Sequence, residues 1–146
     1  MNIKLVLVLI FFGCFVRFEA VGQGIEFLKI QNVSYQEVLK LAKEEKKLIF
    51  IDVYTTWCGP CKLMDKTTFS DPDVGKKFNN EFISFKVNGE DVEGRKLVEM
   101  FKINAYPTFL FVDETGSSVN RLEGVFPPKL LIEEADYTTK LWLESK

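Results

Sequence analysis

The chain has 146 residues, 47% of them apolar and 27% charged, with a formal net charge of −2. That length accommodates one domain around one core, and the composition is that of an ordinary globular protein. No Lys/Arg cluster stands out, which argues against nucleic acid as a partner, and the absence of His removes Cys–His and Ser–His catalytic pairs together with mixed Cys/His zinc sites.

Lys4 precedes an apolar run from Leu5 through Gly13 and Cys14 to Val16. About twelve such positions fall short of the roughly 20 needed to cross a bilayer. A basic start before a run of this length reads as a secretory signal peptide. Residues 1–20 are expected to direct export to the periplasm or cell envelope, with cleavage after Ala20 and residues 21–146 as the mature domain. Two other readings stay open. One is lipid attachment at Cys14, against which Phe11 and the apolar Phe15-Val16 stand; the other is an uncleaved anchor. The mature chain keeps two cysteines, Cys58 and Cys61, whereas a disulfide-stapled scaffold would carry several pairs.

Ser34-Tyr35-Gln36-Glu37 predicts a capping box at the start of a helix. Tyr35, Val38, Leu39 and Ala42 follow at helical spacing, and Lys46-Lys47 closes the helix at its carbonyl end. Leu48 to Tyr54 is a nearly continuous apolar run, as expected of a strand covered on both faces, and Asp52 interrupts it. After Cys61 a short helix is expected to about Lys66, and Ser70-Asp71-Pro72 restarts a helix to about Asn80. Ile83, Phe85 and Val87 alternate as in a strand. Glu93 to Phe101 reads as a helix, with Leu97, Val98 and Phe101 on one side. Thr108 to Val112 is a further strand, the turn Asp113-Glu114-Thr115-Gly116 leads to another near Val119 to Glu123, and Pro127-Pro128 opens a last helix. Phe69, Phe78, Phe82, Phe101, Phe109, Phe111 and Trp142 read as core. A βαβ unit followed by a hairpin implies one α/β domain, a mixed sheet with helices on both faces.

Trp57-Cys58-Gly59-Pro60-Cys61 stands where the buried strand gives way to a helix. A thiolate there is stabilised by unpaired backbone N–H groups and the positive end of the helix dipole. Its pKa can fall from about 8.5 into a range of roughly 3.5–7.5. Cys58 is expected to be the exposed attacking sulfur, and Cys61, one turn on and more buried, to resolve the mixed disulfide. A zinc site lacks ligands, and a purely structural bridge across so short a loop would restrain little chain entropy.

Asp52 to Lys62, with Cys58-Gly59-Pro60-Cys61 at its centre, resembles the active-site stretch of the thioredoxin family. Ala105-Tyr106-Pro107-Thr108 is similar to that family's second signature, and Gly124 falls where the family often has a glycine. The resemblance runs from about Leu48 to Gly124 and implies a thioredoxin fold, a central mixed β-sheet flanked by helices on both faces. Thr68 to Val74 departs from ordinary cytosolic thioredoxin, where one long kinked helix is expected. It looks like the thioredoxin-like domains of bacterial envelope reductases, including the C-terminal domain of the transmembrane electron carrier of the Dsb system.

The resemblance also implies roles. Asp52 would be a buried acid that accepts a proton from Cys61; the plainer reading is a strand-edge Asp in contact with solvent. Lys86 matches a lysine near that acid and would tune it, although a solvated strand lysine fits nearly as well. Pro107 would be cis, with the backbone of Tyr106 pairing to an extended substrate; the plainer reading is a trans proline at a turn or strand start. Trp57, Gly59, Pro60, Tyr106 and Pro107 would together contact the substrate.

Dithiol–disulfide exchange on disulfide-containing proteins is the implied reaction, with no metal, nucleotide or flavin. Gly59-Pro60 is the dipeptide of reducing thioredoxins, where envelope oxidants carry a His. A reductase is therefore expected, monomeric and fed by a membrane electron donor. An oxidase or isomerase, or a non-catalytic binding module on the same groove, are the rival readings.

Overall fold

The computed structural model describes residues 23–146; the expected signal peptide, its boundary at Ala20 and Cys14 lie outside them. In chain order the described residues form β1 (Leu28–Lys29), α1 (Tyr35–Glu45), β2 (Leu48–Tyr54), α2 (Gly59–Lys66) and α3 (Pro72–Glu81). There follow β3 (Phe82–Asn88), α4 (Val92–Met100), β4 (Thr108–Val112), β5 (Ser118–Glu123) and α5 (Pro128–Glu144). One five-stranded sheet has the order β1-β3-β2-β4-β5. The strands β1, β3 and β2 run parallel, β4 runs antiparallel to β2, and β5 antiparallel to β4.

Period-two alternation divides the sheet's side chains between two cores. On one face Ile49, Ile51 and Val53 of β2 pack with Ile83, Phe85 and Val87 of β3, Val38 and Ala42 of α1, and Leu97 of α4. On the other, Leu48 and Phe50 meet Phe109 and Phe111 of β4, Met64 of α2, Val74 and Phe78 of α3, and Leu131, Ala135 and Trp142 of α5. The second core is dominated by phenylalanine. Phe50 lies with its ring centroid 4.7 Å from that of Phe78 and 5.1 Å from that of Phe111. Asp52 shares this face with Leu48 and Phe50, so its carboxyl points into the layer that holds α2.

Local chemistry explains where the helices begin. Ser34 and Glu37 form the expected reciprocal capping box on α1, with Glu37 Oε2 accepting from the Ser34 N–H at 2.8 Å. Asp71 caps α3 by accepting from the N–H groups of Asp73 and Val74 at 2.9 and 3.1 Å. Ser70 instead closes the preceding turn, donating to the Lys66 and Thr67 carbonyls.

Three expectations are corrected. The helix that carries the cysteines starts at Gly59 rather than after Cys61, because Cys58 is its N-cap and Pro60 occupies its first turn. The strand β1 was not anticipated: two residues, paired only to β3, are too short to show a period. Phe101 is half-buried at the end of α4 rather than wholly in the core.

Candidate active site

Cys58 ends the loop after β2, and its position as N-cap of α2 follows from the chain's own hydrogen bonds. Its N–H donates to the Thr55 carbonyl at 3.3 Å, and its carbonyl accepts from Lys62 N–H at 3.2 Å. Cys58 Sγ accepts from the Cys61 N–H at 3.2 Å. A sulfur held this way lies at the end of the helix where backbone donors lack partners, the arrangement that favours a thiolate. Cys58 and Cys61 are joined as a disulfide.

The expected contrast between an exposed Cys58 and a buried Cys61 is absent: the two are 3% and 4% exposed. Joined to Cys61, Cys58 Sγ lies against the first turn of the helix, and the pair is covered together. Gly59 and Pro60 between them are exposed, and a side chain on Gly59 would meet nothing within 4 Å.

Around the pair, loops from separate parts of the chain form a rim. Trp57 is 66% exposed, and its indole Nε1–H donates to Glu90 Oε1 at 2.9 Å. The rings of Trp57 and Tyr106 meet edge to face, with centroids 6.1 Å apart. The Tyr106 ring passes over Gly89, where an added Cβ would come within 2.8 Å of Tyr106 Oη. The Tyr106–Pro107 peptide bond is cis. Gly124, at φ 94°, donates its N–H to the Pro107 carbonyl at 3.0 Å; only glycine enters that region of backbone space without strain.

A charged cluster lies within the apolar layer that holds α2. Asp52 and Lys86 are register partners on β2 and β3, so both side chains leave the sheet on the same face. Lys86 Nζ lies 2.7 Å from Asp52 Oδ2 and 2.5 Å from Asp65 Oδ1 of α2. The ammonium also sits over the rings of Phe27, Tyr54 and Phe69, at 5.0, 4.9 and 5.4 Å. The Asp52 side chain is 2% exposed, and its Oδ1 has no hydrogen-bond partner.

Burial raises the Asp52 pKa to about 6, against the pull of Lys86, which lowers it, and with a smaller push from Asp65, which raises it. For Lys86, burial works against the charged form, but Asp52 and Asp65 outweigh it and hold the ammonium's pKa above the ordinary value. An open pocket of about 430 Å³ borders this cluster, lined by Asp65, Phe69 and Lys86 together with Phe27 and Lys29.

Every expected site residue therefore falls in one of two groups. Trp57, Cys58, Gly59, Pro60, Cys61, Tyr106 and Pro107 belong to the redox pair and its rim; Asp52 and Lys86 belong to the charged cluster with Asp65 of α2. Asp65 and Glu90 were missed. Asp65 follows Cys61 by four residues, one helical turn, which is the signal that could have pointed to it. The Glu90 contact depends on how one loop meets another and left no local signal.

The family model of the thioredoxin-like domain matches residues 35–139. The chain belongs to that family. In this thioredoxin-like protein the match spans the redox pair, the buried acid and the cis-proline turn. Among curated relatives, the thiol:disulfide interchange protein DsbD of Vibrio vulnificus is 34% identical over 111 residues, which is 73% of this chain and 18% of that protein. The chain thus spans less than a fifth of the DsbD proteins it matches. Thioredoxin H5 of Arabidopsis thaliana is 36% identical over 90 residues, 62% of this chain and 70% of that one. A solution structure of a candidate disulphide-isomerase from Bacteroides thetaiotaomicron is 40% identical, with a TM-score of 0.68, covering 86% of this chain and 98% of that one. With the Cys58–Cys61 disulfide in a Cys-X-X-Cys motif, the protein is a thioredoxin-like thiol–disulfide oxidoreductase.

Proposed function

We propose that the protein reduces disulfides of other proteins in the cell envelope, after export directed by residues 1–20, and is recharged by a membrane-bound dithiol donor. Cys58, as thiolate, attacks one sulfur of the client disulfide. That S–S bond breaks, the client's other sulfur leaves as a thiolate and takes a proton from water, and Cys58 is joined to the client. Cys61 then gives its proton to Asp52, which lies on the sheet face that packs α2, and its sulfur attacks Cys58 Sγ. The second client thiolate leaves and is protonated in turn. Two electrons have passed to the client, and the enzyme is left in the Cys58–Cys61 disulfide form. The donor dithiol returns two electrons and two protons by the same exchange in reverse. Lys86 tunes Asp52, and Trp57, Gly59, Pro60, Tyr106 and Pro107 form the rim that holds the client chain.

The observation that carries this reading is the disulfide at the N-terminus of α2, together with a buried carboxyl, Asp52, whose Oδ1 is unpaired and whose Lys86 partner also binds Asp65 of that helix. The Gly59-Pro60 dipeptide and the likeness to DsbD support the reducing direction and the envelope. The Bacteroides relative favours a second reading, an isomerase built on the same pair.

The two part on the reduction potential of Cys58–Cys61, measured by equilibrating the purified protein with glutathione buffers. A value near or below about −230 mV is expected of a reductase, and one between about −120 and −180 mV would reverse the direction in favour of isomerisation or oxidation. Cys58→Ser is expected to abolish turnover of a disulfide substrate. Full biological effect from that variant would make the groove a binding site instead.

A further inference from the structure

We infer that Asp65 is a positioning residue for the resolving step: by taking a share of the Lys86 ammonium from the outer side, it keeps Asp52 basic enough to accept the Cys61 proton. This rests on Asp52 being the acceptor, as proposed above.

The geometry is that of one cation divided between two carboxylates. Lys86 Nζ touches Oδ2 of Asp52 and Oδ1 of Asp65 at 2.7 and 2.5 Å, and its remaining approaches are to the rings of Phe27, Tyr54 and Phe69. The two carboxylates differ in their surroundings. The Asp52 side chain is 2% exposed and that of Asp65 46%, so water can support the charge on Asp65 and cannot support that on Asp52. A buried carboxylate facing an undivided ammonium is a poor base, because the cation holds it ionised. With Asp65 bound to the same ammonium, less of the cation's field falls on Asp52, and the second negative charge repels ionisation of the first.

The other groups around Asp52 are accounted for. Tyr54 is on its own strand, and Asp91 acts on Tyr54. From α2, Asp65 reaches the cluster through Lys86. Across the sheet β4 presents Phe109 to it. Glu26 and Lys29 line the pocket beside Lys86. On α3 and α5, Lys77, Glu81 and Asp136 pair with one another. Among the described residues Asp65 is thus the carboxylate that shares the cation of Asp52.

The test uses Asp65→Asn in the otherwise intact protein, with two readouts. The first is the titration of the Asp52 carboxyl carbon followed by NMR. Its midpoint is expected to fall by roughly half a unit once the competing charge is gone. The second is the pH dependence of mixed-disulfide resolution in single-turnover mixing. Its acid limb is expected to move to lower pH, and its plateau to drop about twofold as the base weakens. Asp65→Glu is expected to restore both.

A midpoint that stays put or rises in Asp65→Asn overturns the inference; a rise would mean that Asp65 merely clamps Lys86 in place. Asp52→Asn separates the two ideas. If it leaves the acid limb where it was, Asp52 is not the acceptor and the earlier reading fails. The carboxyl titration still decides whether Asp65 sets the basicity of Asp52.

Discussion

At the scale of single residues, the energetics of this protein concentrate on Asp52. Its carboxyl is enclosed by the phenylalanine layer, and burial lifts its pKa from 3.8 to about 6 although an ammonium touches it. A carboxyl with a raised folded-state pKa stabilises the fold while protonated. That contribution is complete below the unfolded pKa and is lost as pH rises through the folded one. Asp52→Asn keeps the shape and removes the charge. The oxidised variant is therefore expected to be more stable than the parent by about 3 kcal/mol at roughly pH 8, with the advantage shrinking through pH 6 and vanishing below about pH 4. Urea unfolding across that range checks the sign; a difference that does not change with pH would assign the effect to packing. The same variant is expected to resolve mixed disulfides more slowly, so stability and activity oppose each other at this position.

Among the elements, α2 and α3 show how short-range chemistry sets the site. A continuous helix would carry the turn after Cys61 straight on. Instead Ser70 takes up the last carbonyls of α2, and Asp71 begins α3 afresh. Met64 of α2 accepts the Phe126 N–H through its Sδ at 3.3 Å, and Thr68, just past the helix end, donates its Oγ1–H to the Phe126 carbonyl at 2.6 Å, tying this break to the loop after Gly124. Removing the cap with Asp71→Ala is expected to cost about 1 kcal/mol. In thermal unfolding this should appear as a fall of roughly 3–5 °C, with the Cys58–Cys61 potential unchanged. An altered potential would mean that α3 governs the first turn of α2.

These starts and stops were legible because a capping side chain and a proline act on their immediate neighbours. The capping box at Ser34, the Pro72 restart and the alternation in β3 all declare themselves within four residues. By contrast β1 exists only because β3 offers it an edge.

At the scale of the molecule, the rim is a product of assembly. Trp57, Glu90, Tyr106-Pro107 and Gly124 come from four stretches of chain and meet because β2, β3 and β4 lie side by side in the sheet. Tyr106 fills the space above Gly89 and faces Trp57, so it presents a bulky aromatic wall beside the redox pair. Tyr106→Ile is expected to change the ratio of kcat/KM between two disulfide clients of different sequence, while leaving the glutathione equilibrium of the pair as it was. An unchanged ratio would remove Tyr106 as a determinant of client choice.

The redox motif, the strand-to-helix placement of Cys58, the α/β order and the interruption of an apolar strand by Asp52 were all determined by the sequence itself. Each depends on residues close together in the chain, where periodicity, capping and dipole chemistry operate. Only the tertiary structure decided that Lys86 faces Asp52, since a parallel register between strands 34 residues apart sets that pairing. Tertiary structure alone also brought Asp65 and the three aromatic rings onto the same ammonium, joined Glu90 to Trp57, and covered Cys58 as fully as Cys61. Burial and charge sharing are properties of neighbours in space, and no spacing along the chain encodes which neighbours those will be.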